Sequence, residues 1–305
     1  MDKIQKDLLE KVADIHGTPI GAYNIRANGA AAGRASTANI MITTKEDKPG
    51  IDITIAPGTK NESVHIPVVI SETGLHDMVY NDFYVGEDAD VVIVAGCGIH
   101  NAGDDETAHD GIHTFHLAPR AKVKYIEKHY GEGGGSGDVV MNPTTVIEQA
   151  ENSYMELETT QIMGITSTER RTKATLAEGA TLIIKEKVMT DGTQHSDTNF
   201  EVDLDGDGCS TNVISRSVAK GSSRQTLRTN VRGNAACHGH TECDAIIMDD
   251  AKVTAIPEIV ASSVDASLIH EAAIGKIAGE QLMKLMTLGL SEKEAEEQII
   301  SGFLK

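Results

Sequence analysis

Four short stretches share one form: Val85-GEDAD-Val91, Leu117-APRAK-Val123, Leu176-AEGAT-Leu182 and Ile247-MDDAK-Val253. Each runs from an aliphatic through three mostly turn-prone residues to Ala, then one variable residue, then an aliphatic that opens a β-rich segment. A small residue at a tight corner, between two inward-pointing aliphatics, is what a coil of a β-solenoid requires. Their spacing is irregular, so insertions separate some of the coils. Around these corners the chain reads as short strands: NIMITT from Asn39, GIDITIAPGT from Gly50, ESVHIPVVI from Glu62, DMVYNDFYVG from Asp77 and ADVVIVAG from Ala89. All are rich in β-branched residues and separated by turn formers. The fold class expected is mainly β, a solenoid with its core over residues 39–262.

Helices flank this core. Ile4, Leu8, Leu9, Val12 and Ile15 recur at helical spacing, and Gly17, Thr18 and Pro19 stop the run. The Gly/Ala-rich GAYNIRANGAAAGRAST that follows reads as a flexible, turn-like lead-in, so residues 1–38 form an N-terminal helical segment and its connection. At the other end the β pattern runs through Pro257 to Val264, and helix is expected from near Ala266. Leu268, Ile269, Ala272, Ile277, Leu282, Leu285 and Met286 supply an apolar side, and Gly289 suits the position after a helix end. Ser291 and Glu294 have the spacing of a capping box, opening a last helix with Ala295, Ile299, Ile300, Phe303 and Leu304. Residues 263–305 are thus read as a helical segment that either caps the last coil or docks a partner, or both.

Composition narrows the function. The formal net charge of −19 disfavours a phosphate-backbone partner, so no nucleic acid is expected. Aromatics make up 3% and tryptophan is absent, which argues against stacking platforms for sugars or bases. No membrane span or secretion signal is visible, so a cytoplasmic protein with reduced thiols is expected, and its four cysteines point to metal or redox chemistry. GEGGGSG, residues 131–137, lacks the Lys-Ser/Thr of a phosphate-binding loop and reads as a flexible loop. Asp203-Leu-Asp-Gly-Asp-Gly208 imitates the start of a calcium loop. Ile214 stands where the twelfth-position Glu belongs, so it reads as a solvated acidic turn.

The richest cluster of metal-ligating residues is Cys237, His238, His240 and Cys243, followed by His270-Glu271. Thiolate and imidazole suit iron and zinc. On a regular strand His238 and His240 share one face, and Cys237 and Cys243 the other; a turn at Gly239 would break that pattern. A second constellation is Cys97-x2-His100, then His109-x3-His113 and His116, whose spacing resembles a compact zinc or iron site or, alternatively, histidines on exposed turns.

Taken together, STNVISRSVAKGSSRQTLR, HTECDAIIMDD and IHEAAIGKIAGEQLMKLMTLGLSEKEAEEQIISGFLK resemble the SufB/SufD family, scaffold proteins of iron–sulfur cluster assembly. KVKYIEKHYGEG is similar to that family's strand into the middle of its solenoid. The resemblance implies a right-handed parallel β-helix with flanking helices. It implies Cys243 as the cluster-site cysteine and Glu271 as the site carboxylate, with His270 beside it. Cys237 and His240 are further candidates, supported by proximity. It also implies terminal helices that dock on SufC, an ATPase of the ATP-binding-cassette type. That accords with the missing phosphate-binding loop here.

The chain is shorter than the usual SufB and resembles the compact form of minimal archaeal or bacterial systems. The expected assembly is therefore two copies of this chain with two ATPase subunits, carrying a transient [4Fe–4S] cluster for delivery to apo-protein acceptors. In this reading the chain is a scaffold and not an enzyme. Two other classes compete: a β-solenoid enzyme acting on polysaccharide, and a structural zinc protein built on Cys97, His100, His109 and His113.

Overall fold

The computed structural model describes residues 1–305, the side chain of Met163 excepted. Helix α1 (Lys3–Ala13) precedes β1 (Ala22–Ala27), β2 (Ala30–Ala35), β3 (Ile40–Thr44), β4 (Gly50–Ile55), β5 (Lys60–Ile70), β6 (His76–Val85) and β7 (Asp90–His100). The chain continues through β8 (Thr107–Leu117), β9 (Lys122–Glu132), β10 (Val139–Met141), β11 (Thr144–Gln149), β12 (Tyr154–Met163), β13 (Ser167–Leu176) and β14 (Thr181–Thr190). It ends with β15 (His195–Leu204), β16 (Ser210–Ala219), β17 (Arg224–Gly233), β18 (His238–Ile247), β19 (Lys252–Ala261), β20 (Ser267–Gly275), α2 (Gly279–Thr287) and α3 (Glu292–Phe303).

Successive strands alternate between two sheets. One runs β2-β1-β5-β7-β9-β12-β14-β16-β18-β20; the other runs β19-β17-β15-β13-β10-β8-β6-β4-β3, with β11 extending β10 between β8 and β13. Pairing along both sheets is parallel, save for the β1–β2 and β3–β4 hairpins that close the N-terminal end. This is the solenoid expected from the corner repeats. Three of the four repeats lie at one corner, where Asp88, Arg120 and Gly179 take the left-handed conformation and the next residue, Ala89, Ala121 or Ala180, points inward. The fourth serves the opposite corner, with Asp249 left-handed and Ala251 inward.

Alternation of period two fills the lumen. In β14, Leu182, Ile184, Glu186, Val188 and Thr190 point inward and their neighbours outward. One side of the lumen is apolar, with Phe83 stacked on Phe115 and Tyr125 edge-on to it. The other side is polar.

Helix α1 lies on the outer wall, burying Leu8, Leu9 and Val12. Gly96 and Gly98 make room for it: a Cβ on Gly96 would sit 2.9 Å from the Val12 carbonyl oxygen, and one on Gly98 would touch Leu8. Helix α3 packs Ile300 and Leu304 against Val218 on the same sheet, near the other end. Its capping box at Ser291 and Glu294 forms as expected.

Three expectations need correction. The Gly/Ala-rich lead-in is the β1–β2 hairpin, turned on Asn28-Gly29, both with positive φ, a two-residue turn that suits the strand twist. Helix does not begin near Ala266. Residues 267–275 form β20, in register with β18, so His270-Glu271 sits on a strand and the helices start at Gly279. The Gly-rich run 131–137 is not a free loop. Its backbone stacks on residues 101–105, with Gly135 and Gly137 N–H groups donating to Asn101 and Gly103 oxygens at 3.2 and 3.0 Å.

Candidate functional site

The site candidates converge on the last coils, and strand alternation sorts them onto two walls. On β18, Gly239, Thr241, Cys243 and Ala245 point inward; His238, His240, Glu242 and Asp244 point outward. Register with β20 pairs Thr241 with His270, Glu242 with Glu271 and Cys243 with Ala272. Cys243 and His270 therefore share the inner wall, where His270 Nδ1 lies 2.6 Å from Thr241 Oγ1. Glu271 belongs to the outer wall. There its Oε2 is 3.3 Å from His240 Nε2, and His240 Nδ1 is 3.1 Å from Asn212 Oδ1. The imidazole–carboxylate pair and the cysteine thus stand back to back across one strand.

Cys237 shares the inner face with Cys243, as alternation requires, because Gly239 does not break the strand. Six residues of extended chain separate them by about 20 Å, too far for one cluster. Cys237 instead lies beside Cys209, whose carbonyl accepts from the His238 N–H at 3.1 Å.

Cys243 is nearly fully buried. Burial pushes its thiol up to about 11, and the negative field of Glu186 and Asp244 adds to this. It lines a small cavity of about 10 Å³ together with Glu186, Ser215, Ser217, Thr198 and Gln225. Glu186 accepts from Ser215 Oγ at 2.8 Å and from Thr198 Oγ1 at 3.0 Å, and burial raises its pKa.

From Glu186 a polar tract runs up the lumen. Arg170 Nε lies 3.7 Å from Glu186, and Arg170 Nη1 donates to Glu127 Oε2 at 2.5 Å. Burial alone would push Glu127 up, but Arg170 and the neighbouring His129 outweigh it and hold the carboxyl well below its ordinary value. Tyr125 donates to Glu127 at 3.0 Å and meets His113 Nδ1 at 2.6 Å. Beyond lies His109, 3.3 Å from Asp77, whose other oxygen accepts from Arg26 at 2.8 Å.

The upper end of this tract contains part of the second constellation. Cys97, His109 and His113 line one cavity of about 10 Å³ with Glu127 and His129. His100 faces outward to Glu132 at 3.4 Å, and His116 stacks on Tyr84 outside the solenoid. Among the described residues, no three His, Cys, Asp or Glu side chains are grouped so that they could hold a metal ion. The aspartates of the calcium-like loop are engaged in linking coils: Asp203 pairs with Arg232, Asp205 accepts from Asn234, and Asp207 from the Ala236 N–H.

Sequence reasoning missed Glu127, His129, Arg170 and Glu186. The signal was present in KVKYIEKHY, where Val123, Tyr125, Glu127 and His129 fall in one alternating phase. An acid in the phase of buried apolar residues marks a polar lumen. No helix among the described residues is long and apolar enough to cross a membrane.

The fold and site define a parallel β-solenoid whose last coils hold a buried thiol on the inner wall and, on the outer wall, an imidazole of β18 against a carboxylate of β20. Residues 73–303 match the family described as "SUF system FeS cluster assembly, SufBD core domain". The chain belongs to this SufBD family of the SUF system of iron–sulfur cluster assembly.

A SufBD family protein of Methanocaldococcus jannaschii is 28% identical over 250 residues, covering 79% of this chain and 76% of that one. One from Archaeoglobus fulgidus is 29% identical over 270 residues, covering 85% and 69%. One from Methanothermobacter thermautotrophicus is 28% identical over 244 residues, and the match spans 57% of its length. A solved polysaccharide lyase-like protein from C. thermocellum aligns at 8% identity over 85% of this chain and 100% of that one, with a TM-score of only 0.20.

Proposed function

We propose that the chain is a non-catalytic scaffold on which an iron–sulfur cluster is built and from which it is released, with Cys243 as the principal thiolate ligand. The observation that carries this is the placement of Cys243 on the inner wall of β18, beside the last strand, β20, and across the lumen from Leu227 of β17 and Val253 of β19. A soft anionic donor is what iron in a sulfide cluster requires. Its burial means that the cluster, a transient [4Fe–4S] centre in this reading, is assembled only when the last coil moves. His270 shares Cys243's wall. Glu271 reaches the same cluster only if β20 changes its register or if it acts from a second copy; His240, on the outer face of β18 itself, does so only from a second copy.

A SufC-like ABC ATPase bound to α2 and α3 supplies that movement. Helix α2 buries no residue fully and leaves Met283, Met286 and Leu288 exposed, an apolar face suited to docking. The open end bearing β19 and β20 joins a second copy, giving two scaffolds and two ATPases that pass the cluster to apo-proteins.

Anaerobic reconstitution of the complex with iron and sulfide tests the reading. Cys243→Ser is expected to lose most of the cluster absorbance while circular dichroism and ATPase binding stay normal. A variant that assembles and transfers the cluster at normal yield overturns the assignment. Deleting residues 279–303 is expected to abolish co-purification with the ATPase and leave the β signal intact; an undiminished complex places docking elsewhere.

A further inference from the structure

Cys209 and Cys237 are absorbed by none of this. Both occupy the inward corner column that precedes each strand of the first sheet. In other coils that column holds Ala89, Ala121, Ser153 and Ala180, and after Cys237 it continues with Ala266. Ser210 pairs with His238 in register, so the residues before them stand side by side on adjacent coils. Adjacent strands lie about 4.8 Å apart, within the roughly 4.4–6.8 Å Cα separation that disulfides accept. Both thiols are free and fully buried. The position needs only a small residue, as the alanines above and below show. Half of the chain's cysteines nevertheless meet there, in the last coils before the open end.

We infer that Cys209 and Cys237 are a redox-modification site, a dithiol that closes to a disulfide across adjacent coils. The oxidant is a low-molecular-weight disulfide. The Cys237 thiol loses its proton and its sulfur attacks one sulfur of the reagent. The reagent's S–S bond breaks, and one thiol leaves with that proton. The Cys209 sulfur then attacks the mixed disulfide, the second thiol leaves, and the protein has given up two electrons and two protons to two reagent thiols. Neither thiol is exposed in the closed solenoid, so the reagent enters where the last coil lifts from an open end that no second copy covers. Cys237 Sγ lies beside Gly233, where a Cβ would be 3.0 Å from it, and the same spot is bounded by Ala266 and Leu268 of the last, half-exposed coil. The bond ties β18 to β16. Its effect on cluster assembly, through Cys243 on the same strand, rests on the function proposed above; the bond itself does not.

The test equilibrates the full chain with mixtures of reduced and oxidised glutathione, then alkylates it under denaturing conditions and maps its peptides by mass. The expected product is one linked pair, Cys209 with Cys237, two hydrogens lighter, reversed by dithiothreitol, with Cys97 and Cys243 alkylated. Cys209→Ala should instead trap a glutathione adduct on Cys237. The double variant, Cys209→Ala with Cys237→Ala, should fold normally because alanine fills this column elsewhere. Hydrogen exchange should slow in β18 of the oxidised protein and not in the double variant. Both thiols remaining free at the oxidising end of the series, or linkage to Cys97, Cys243 or another molecule, overturns the inference. Loss of cluster yield without the linked pair would bear on the proposed function alone.

Discussion

His113 shows how a single residue makes the lumen sensitive to acid. Its ring is enclosed, bonded through Nδ1 to Tyr125 and through Nε2 to Asn81 at 3.3 Å, and burial lowers its pKa to about 4. In the unfolded chain the imidazole titrates at its ordinary value of 6.5. Between these values the unfolded state holds the proton and the folded state does not, so stability falls as the pH drops from about 6.5 to 4. The full window corresponds to about 3 kcal/mol. Asp77 acts lower. Burial opposes its ionisation, but His109 and Arg26 hold it at about 2, below its ordinary 3.8, so its contribution is present above 3.8 and is lost as the pH falls through 2. Urea unfolding at a series of pH values is expected to show wild-type stability declining below pH 6.5, with a flatter slope between 6.5 and 4 in His113→Gln. An unchanged slope in that variant would mean that another group carries the acid sensitivity.

At the scale of the element, the Gly-rich run 131–137 is a stacked corner, and its composition follows from contact. A Cβ on Gly135 would lie 2.1 Å from the Gly103 carbonyl oxygen, whereas one on Gly134 meets nothing within 4 Å. Gly135→Ala is expected to cost about 1–3 kcal/mol through forced backbone displacement, and Gly134→Ala to stay within about 0.5 kcal/mol, both read from denaturant midpoints. Equal effects would show that the two corners do not stack. The glycines were visible in the sequence, but the neighbouring backbone that demands them lies some thirty residues away. β20 was illegible for a related reason. Leu268, Ile269 and Ala272 fit a helical face as well as a strand, and only pairing with β18 decides between them. The corner repeats, the period-two strands and the capped last helix depend on local chemistry, so they could be read directly. Cys243 was legible as a candidate through its motif, but its separation from Glu271 was not, because that depends on which residue of β20 faces which residue of β18.

The two ends of the whole molecule are built differently. At the N-terminal end, β2 and β3 fold back antiparallel on their neighbours and interrupt the parallel stacking. At the C-terminal end, β19 and β20 terminate their sheets with parallel edges that no hairpin closes. Exposed edges of this kind present unpaired N–H and C=O groups, and natural proteins usually blunt them with charge, bulges or cover. Here the edges instead carry Ile256, Ile259, Val260, Ile269 and Ile274, each 37–54% exposed. An unprotected apolar edge at the open end fits a second identical end, which would extend both sheets and bury the isoleucines together. It would also bring two Cys243–His270 walls toward each other, as the proposed function would require of two scaffolds sharing one cluster. Sedimentation of the purified chain over a range of concentrations is expected to show a monomer–dimer equilibrium. Ile259→Lys combined with Ile274→Lys should leave only monomer, with the β spectrum unchanged, and should lower cluster retention in the reconstituted complex. A wild-type chain that stays monomeric at high concentration and within the ATPase complex, or a double-lysine variant that still dimerises, would place the contact between copies on another surface and leave the open end without its proposed partner.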